Sequence, residues 1–159
     1  MVIAGFDPGS SVFGIGIIER KGKDFEYLFS KEIKFPRFDF NKKMEILLEE
    51  LDRYFDLYSP DEVAIEDGFL GKNVKSMNIL SKIRGVVLAK SIMSNRELMF
   101  YSPREVKTAV SGNGNASKEQ VNKMVKYIFK LRETEIGNDE SDALAVAYCH
   151  GVNNRSLVR

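Results

Sequence analysis

Apolar positions near the N-terminus fall into short runs that predict β-strands. The stretches 2–7 and 12–20 are almost continuously apolar, which is typical of buried strands. Residues 24–35 alternate instead, with aromatic side chains at every second position between Phe25 and Phe29. The links between these three strands are short, so we expect the strands to pair in antiparallel fashion.

The remainder of the chain alternates between helical patterns and two further short strands. Apolar residues at helical spacing predict helices over about 39–58 and 73–94. Short apolar runs predict strands at Glu62–Glu66 and Leu98–Tyr101. Cap-forming residues mark the starts of three more helices, which are expected after Ser102, from Ser117 to about Leu131, and after Asn138 to about Gly151.

This order of elements predicts an α/β fold in a single domain, residues 1–159. Three antiparallel strands followed by crossover helices and two more strands give a mixed five-stranded sheet with helices on both faces. The chain has 159 residues, of which 43% are hydrophobic and 30% charged, as is typical of globular domains. No apolar run approaches the roughly 20 residues of a membrane span. No secretory leader is visible, so we expect a cytoplasmic location.

Charge is unevenly distributed along the chain, although the net charge is only +1. The segment from Lys72 to Arg132 holds 13 basic and three acidic residues, whereas the remainder holds 11 basic and 20 acidic ones. Such asymmetry indicates that one part of the surface faces a polyanion such as nucleic acid. A set of lysine-rich helix faces exposed to solvent is the alternative interpretation.

A candidate functional residue, Asp7, follows the first apolar run directly. The turn Pro8-Gly9 comes next, which places Asp7 at the end of a rigid central strand. A carboxylate held in that position is a suitable ligand for a hard cation. Asp-Pro-Gly is also a common turn sequence, so Asp7 by itself fits a turn residue equally well.

Three other acids give Asp7 potential partners. Glu66 ends another apolar strand, and neighbouring strands would place it beside Asp7. Asp139 and Asp142 are three residues apart near the start of the last helix, so both project from one face. Acids are common in a first helical turn, which makes Asp139 alone a weak candidate. Four converging carboxylates repel one another unless a cation lies between them, so the set predicts a divalent metal site.

The scarcity of nitrogen and sulfur ligands limits the choice of metal. The chain has one cysteine, Cys149, and one histidine, His150, and we interpret both as structural. A zinc site built from cysteine pairs is therefore excluded. Oxygen ligands favour Mg²⁺, Mn²⁺ or Ca²⁺.

A series of motifs extends over nearly the whole chain. In chain order they are Gly5-Phe6-Asp7-Pro8-Gly9-Ser10, Ala64-Ile65-Glu66 with Phe69 and Lys72-Asn73, Arg84-Gly85-Val86, Pro103-Arg104-Glu105-Val106-Lys107, Gly112-Asn113-Gly114-Asn115-Ala116-Ser117-Lys118, and Asp139-Glu140-Ser141-Asp142-Ala143-Leu144-Ala145. Together they resemble the RuvC family of Holliday-junction resolvases, whose fold is ribonuclease-H-like. The first motif alone also occurs in actin-like ATPases, but those proteins need a second phosphate loop and a much longer chain.

The resemblance implies a metal-dependent endodeoxyribonuclease that resolves four-way (Holliday) DNA junctions in recombination and repair. Asp7, Glu66, Asp139 and Asp142 would be the catalytic acids and would bind Mg²⁺, with two ions per site and Mn²⁺ as a substitute. One ion would activate a water and the other would stabilise the leaving 3′ oxygen, so that the nicks carry 5′-phosphates. Two matched nicks imply a homodimer, with the helix 73–94 as its interface. The family also implies a branch-migration motor complex as a partner.

The resemblance also implies four substrate-binding residues: Phe69, Lys72, Lys107 and Lys118. Phe69 lies in a loop between two glycines, where an aromatic ring can stack on unpaired bases. By its position alone, Phe69 fits a side chain folded back onto the core better, and it is the resemblance that favours the stacking role. Lys107 and Lys118 flank the glycine-rich loop and match basic positions near the cut phosphate.

Two other functions are compatible with the same acids. A ribonuclease-H-like nuclease acting on structured RNA would share the four carboxylates, but it would not need Phe69 or the pair Lys107 and Lys118. A junction-binding protein without activity is disfavoured because all four acids are present.

Overall fold

The computed structural model describes residues 1–37, 39–68, 74–131 and 134–153. The predicted substrate-binding residues Phe69 and Lys72 lie outside the described residues. The elements are β1 (Val2–Pro8), β2 (Val12–Lys21), β3 (Asp24–Lys34), α1 (Phe40–Tyr58), β4 (Glu62–Glu66), α2 (Val74–Met93), β5 (Leu98–Tyr101), α3 (Pro103–Ser111), α4 (Lys118–Ile128) and α5 (Asn138–Asn153). The predicted order of strands and helices is confirmed. The predicted end of α4 near Leu131 is wrong, because Lys130 adopts a left-handed conformation that turns the chain after Phe129.

The five strands form one mixed sheet in the order β3-β2-β1-β4-β5. β1 pairs with β2 and β2 with β3 in antiparallel fashion, whereas β4 is parallel to both β1 and β5. The short β1–β2 and β2–β3 links account for the antiparallel pairs, and the helices α1 and α2 supply the crossovers that parallel pairs need. The predicted mixed five-stranded α/β architecture, with helices on both faces, is confirmed.

Each face of the sheet buries its own apolar cluster. One cluster joins the inward residues of α1 and α2 to strand residues such as Phe6, Phe13 and Ile65. The other joins α3, α4 and α5 to residues such as Ile3 and Ile18 on the opposite face. Alternate strand residues point to opposite faces, so one buried strand such as β1 contributes side chains to both clusters.

The helix α5 lies directly on the sheet because glycines replace side chains beneath it. A Cβ atom on Gly5 would lie 2.5 Å from the backbone nitrogen of Ala147, and one on Gly16 would lie 2.5 Å from that of Leu144. At Gly14 a Cβ would overlap the backbone oxygen of Asp139. The glycines of β1 and β2 therefore fix the depth at which the first turns of α5 sit.

A buried polar chain holds the other end of α5. The Tyr101 hydroxyl lies 2.9 Å from Nδ1 of His150, and Nε2 of His150 lies 2.6 Å from a carboxylate oxygen of Glu62. His150 and Cys149 are both buried residues of α5. These contacts join α5 to β4 and β5, as expected of a structural histidine. Within the described residues, no helix is long and apolar enough to cross a membrane.

Candidate active site

A cavity of about 300 Å³ opens where β1, β4 and α5 meet. Its lining includes all four predicted acids, Asp7, Glu66, Asp139 and Asp142. The two predicted basic residues that the structure describes, Lys107 and Lys118, line the same cavity. Charged residues that are far apart in the sequence therefore come together in one pocket.

The sheet places Asp7 beside Glu66. Phe6 of β1 is level with Ile65 of β4 in the parallel pair, and Asp7 and Glu66 are the next residues of the two strands. Both strands run in the same direction, so their carboxyl ends meet at one edge of the sheet. The apolar residues before each acid anchor the strands in the core and leave the carboxylates at the rim.

The helix α5 brings Asp139 and Asp142 over the same edge. Asp139 lies in its first turn, above Gly14, which is paired with Asp7 in the β1–β2 register. The backbone N–H of Asp139 donates a hydrogen bond to Oε1 of Glu32 on β3, at 3.2 Å. Glu32 thus serves as an acceptor for one of the free amide groups at the helix start.

Crowding of carboxylates in a partly buried cavity disfavours their ionised forms. Burial, followed by the negative charges of Glu66, Asp142 and Asp139, raises the pKa of Asp7 to about 8. Burial and the charge of Asp142 raise the pKa of Glu66 to about 7. Burial, together with Glu32 and Asp142, also raises the pKa of Asp139. The site therefore attracts positive charge.

Lys118 supplies part of that positive charge. Its Nζ atom lies 3.0 Å from Oδ2 of Asp142, and this hydrogen bond raises the pKa of Lys118. The ammonium group also lowers the pKa values of Asp7, Glu66 and Asp139 by its charge. Lys107, on α3, lowers the pKa of Glu66 in the same way. Both lysines are thus placed to face an anionic substrate at the acids.

The donor chemistry of this site fits a hard divalent cation. Its acidic groups offer carboxylate oxygens, which are the ligands that hard divalent cations prefer. A bound cation would favour the ionised forms of Asp7 and Glu66, which burial and neighbouring negative charges disfavour. Within the part of the chain that the structure describes, no three acidic, histidine or cysteine side chains are already arranged to hold one ion.

Three contributors to the site were not predicted from the sequence. Glu32 belongs to an alternating strand and looks like a solvent-facing residue, yet it contacts the start of α5. Gly14 has no side chain to attract notice, although α5 rests on it. Arg84 belongs to a sequence motif that gives no sign of its role. Its guanidinium pairs with Asp67 at 3.2 Å and donates to the Gly68 carbonyl at 3.0 Å. Arg84 also lowers the pKa of Glu66.

Comparison with known proteins agrees with this arrangement. Residues 3–150 match the family described as "Crossover junction endodeoxyribonuclease RuvC". A protein of that name from Christiangramia forsetii is 36% identical, and the match covers 96% of this chain and 80% of the relative. A protein of the same name from Alkaliphilus oremlandii is 38% identical, and the match covers 94% of this chain and 92% of the relative.

Solved structures give the same result for the fold. The chain resembles "T. thermophilus RuvC in complex with Holliday junction substrate" with a TM-score of 0.91 and 28% identity, covering 98% of this chain and 96% of the other. A second Thermus thermophilus RuvC structure matches with a TM-score of 0.87 and 29% identity, at the same coverage. The chain therefore belongs to the RuvC family of crossover junction endodeoxyribonucleases.

Proposed function

We propose that this protein is a structure-selective endodeoxyribonuclease that resolves four-way DNA junctions by paired, symmetric nicks in recombination and repair. The observation that carries the proposal is the convergence of Asp7, Glu66, Asp139 and Asp142 in one cavity of a chain from this family. The homologous T. thermophilus protein was solved with a Holliday junction substrate, which supports a four-way junction as the substrate here. No relative or structural neighbour described above supports the RNA alternative.

Nucleases of this family are metal-dependent, and the four acids would hold the metal. We propose Mg²⁺, with two ions per site and Mn²⁺ as a substitute, because the donors are carboxylate oxygens. The bound metal would supply an activated water and would stabilise the charge that develops on the leaving 3′ oxygen. Cleavage in that sense leaves a 5′-phosphate and a 3′-hydroxyl group.

The protein's own residues would orient the DNA strand and balance its charge. Lys107 and Lys118 line the cavity on the side of α3 and α4, where their ammonium groups would face a phosphate that enters towards the acids. The Lys118–Asp142 contact, at 3.0 Å, holds that lysine close to the carboxylates before substrate arrives. Pro8 and Gly9 line the cavity as well, so the β1–β2 turn would support the strand beside Asp7.

Two symmetric nicks need two sites, and we propose a homodimer that forms through α2. Val74, Leu88 and Ile92 are 70%, 38% and 63% exposed, and their spacing places them on one face of this helix. Gly85 lies on the same face, and a Cβ atom added there would contact nothing within 4 Å. A twofold axis beside this face would let the helix pack against its copy and bury these apolar groups.

Two further features belong to the same proposal. A junction formed on chromosomal DNA is consistent with a cytoplasmic location for this protein. A branch-migration motor complex would be its partner, since it would supply mobile junctions to the dimer.

A direct assay tests the proposed function. Four-way junction, linear duplex and structured RNA, all carrying the same label, would be incubated with the protein in Mg²⁺ and in chelator. We expect symmetric nicks in the junction with Mg²⁺, little cutting of the duplex or RNA, and no cutting in chelator. Preferential cleavage of RNA, or of linear duplex over the junction, would contradict the proposal.

A further inference from the structure

A second cavity, of about 410 Å³, lies on the side of the sheet covered by α1 and α2. Four basic residues line it: Arg37, Lys43, Lys75 and Lys82. Among the described residues, no acidic side chain contributes to its lining. The charge of this basic pocket is thus opposite to that of the acid-lined cavity on the other side of the β1–β2 turn.

The most buried of these basic residues is Lys43, which is only 6% exposed. Its Nζ atom donates a hydrogen bond to the backbone oxygen of Ser10 at 2.7 Å. Within residues 1–37, 39–68, 74–131 and 134–153, no carboxylate forms an ion pair with it. An ammonium group has three donors, and burial without a counter-charge is costly. Among the residues that the structure describes, the hydrogen-bond partner of this buried cation is a neutral carbonyl.

Lys82 is held over the pocket by an aromatic ring. Its Nζ atom lies 4.8 Å from the centre of the Phe40 ring, within the range of a cation–π interaction. Lys75 and Lys82 are seven residues apart on α2, so both project from the same face of the helix. Like Lys43, Lys82 has no ion-pair partner in the described part of the chain.

Another lysine of α2, Lys90, lies over an aromatic ring in the same way but has a carboxylate partner. The Lys90 Nζ atom lies 5.4 Å from the centre of the Phe55 ring, an arrangement similar to that of Lys82. Lys90 is neutralised by Asp52, whose Oδ1 atom is 2.7 Å away. The same helix therefore carries two lysines over aromatic rings, one paired and one without an anionic partner among the described residues.

We propose that the basic pocket binds a backbone phosphodiester of the junction DNA other than the phosphate that is cleaved. The proposal rests on the proposed function, because it takes junction DNA as the polyanion. Lys43 connects the two cavities: it lines the basic pocket and holds Ser10 in the turn whose residues Pro8 and Gly9 line the acid-lined cavity. A phosphate bound beside Lys43 would fix the DNA relative to this turn, and thus relative to Asp7.

A contact of this kind contributes affinity and positioning without base recognition. Each neutralised phosphate also makes binding dependent on salt, because it releases condensed counterions. Loss of the contact should therefore weaken binding to the same extent for junctions of different sequence, and it should reduce the dependence on salt.

The test compares Lys82→Gln with Lys90→Gln in the full-length protein. Both variants remove one positive charge and one cation–π contact from α2, but only Lys82 lines the pocket. Binding of a labelled four-way junction would be titrated in chelator at several salt concentrations, with thermal melting as the control for folding. For Lys82→Gln we expect about three- to tenfold weaker binding and a log–log salt slope that is shallower by about one.

The outcomes separate this inference from the proposed function. Lys90→Gln should bind the junction like the wild type. Equal affinities and equal salt slopes for the two variants, in a wild type that binds and cuts the junction, would overturn only the assignment of the pocket. A wild type that neither binds nor cuts the junction would overturn the proposed function itself.

Discussion

Oε1 of Glu32 accepts a hydrogen bond from the backbone N–H of Asp139 at 3.2 Å, so a fifth acid holds the helix that carries two of the candidate catalytic acids. Glu32 is paired with Gly14 in the β2–β3 register, and Gly14 is paired with Asp7 in the β1–β2 register. Asp7, Gly14 and Glu32 therefore form a row across three strands beneath the first turn of α5. Ser30, two residues before Glu32 on β3, adds a second contact to α5: its hydroxyl donates a 2.7 Å hydrogen bond to the Glu140 carboxylate.

Replacement of Glu32 should reduce cleavage more than junction binding. Glu32→Ala removes the acceptor at the start of α5, so Asp139 loses its orientation, and a roughly tenfold to hundredfold lower kcat is expected. Glu32→Gln keeps an oxygen acceptor and should retain more activity. Single-turnover cleavage and junction affinity would be measured over a range of Mg²⁺ concentrations. The control is Glu26→Ala on the same strand, which pairs with Lys21 away from the site. Equal kcat values for Glu32→Ala and Glu26→Ala would exclude this positioning role.

Asp7→Asn should bind the junction but fail to cut it. The change keeps the size of the side chain and removes one anionic donor from a site that holds four acids. If the bound metal then stabilises the transition state less, by several kcal/mol, the cleavage rate falls about a hundredfold or more. Junction binding in chelator should equal or exceed that of the wild type, because less negative charge then faces the DNA. Cleavage at the wild-type rate in Mg²⁺ would rule out Asp7 as a ligand.

The raised pKa of Asp7 predicts that the metal-free protein becomes less stable as pH rises. The folded state holds a proton on Asp7 up to about pH 8, whereas the unfolded chain releases it near the ordinary value of 3.8. Between these values the folded state binds more protons, so the free energy of unfolding falls as pH increases. Glu66, whose pKa is raised to about 7, acts in the same direction.

Thermal melting in chelator between about pH 5 and pH 8 would measure this effect. The wild type should lose melting temperature as the pH rises, and Asp7→Asn should lose less. Mg²⁺ should restore most of the loss near pH 8, because a bound cation stabilises the ionised carboxylates. A melting temperature that rises over this range in chelator, and equally in both proteins, would contradict the predicted protonation.

Sequence patterns predicted the strands and helices because each has a local signal. The acids at the ends of β1 and β4 were identified because a charged residue directly after a buried run is visible along the chain. Glu32 was not identified, since its role depends on the pairing of β3 with β2 and on the packing of α5, both of them long-range relationships. Lys43 was missed for a similar reason: it sits beside the apolar stripe of α1 and becomes buried only because the β1–β2 turn approaches it.

The contact between Gly14 and α5 can be tested against a neighbouring glycine. A Cβ atom at Gly14 would overlap the backbone oxygen of Asp139, and one at Gly16 would overlap the backbone near Leu144. Alanine at either position should therefore overpack the interface and cost about 1–3 kcal/mol of stability. Gly14→Ala should also reduce cleavage strongly, because it displaces the turn that carries Asp139. Gly16→Ala should leave more activity per folded molecule. Similar activities of the two variants, at matched folded fractions, would show that the first turn of α5 does not depend on Gly14.

The proposed dimer makes a prediction about the coupling of the two nicks. Ile92 is 63% exposed on the face of α2 that also carries Leu88 and Gly85, so Ile92→Glu would place a charge in a buried interface. We expect a monomer by analytical ultracentrifugation at concentrations where the wild type is a dimer. Its junction products should be single nicks, because the two sites no longer act on one molecule.

The control is Leu57→Glu, which adds a charge at a 67% exposed apolar position on α1. A buried carboxylate without a partner at a twofold contact would separate the subunits. If Ile92→Glu remained a dimer with paired nicks, the interface would therefore lie on another surface.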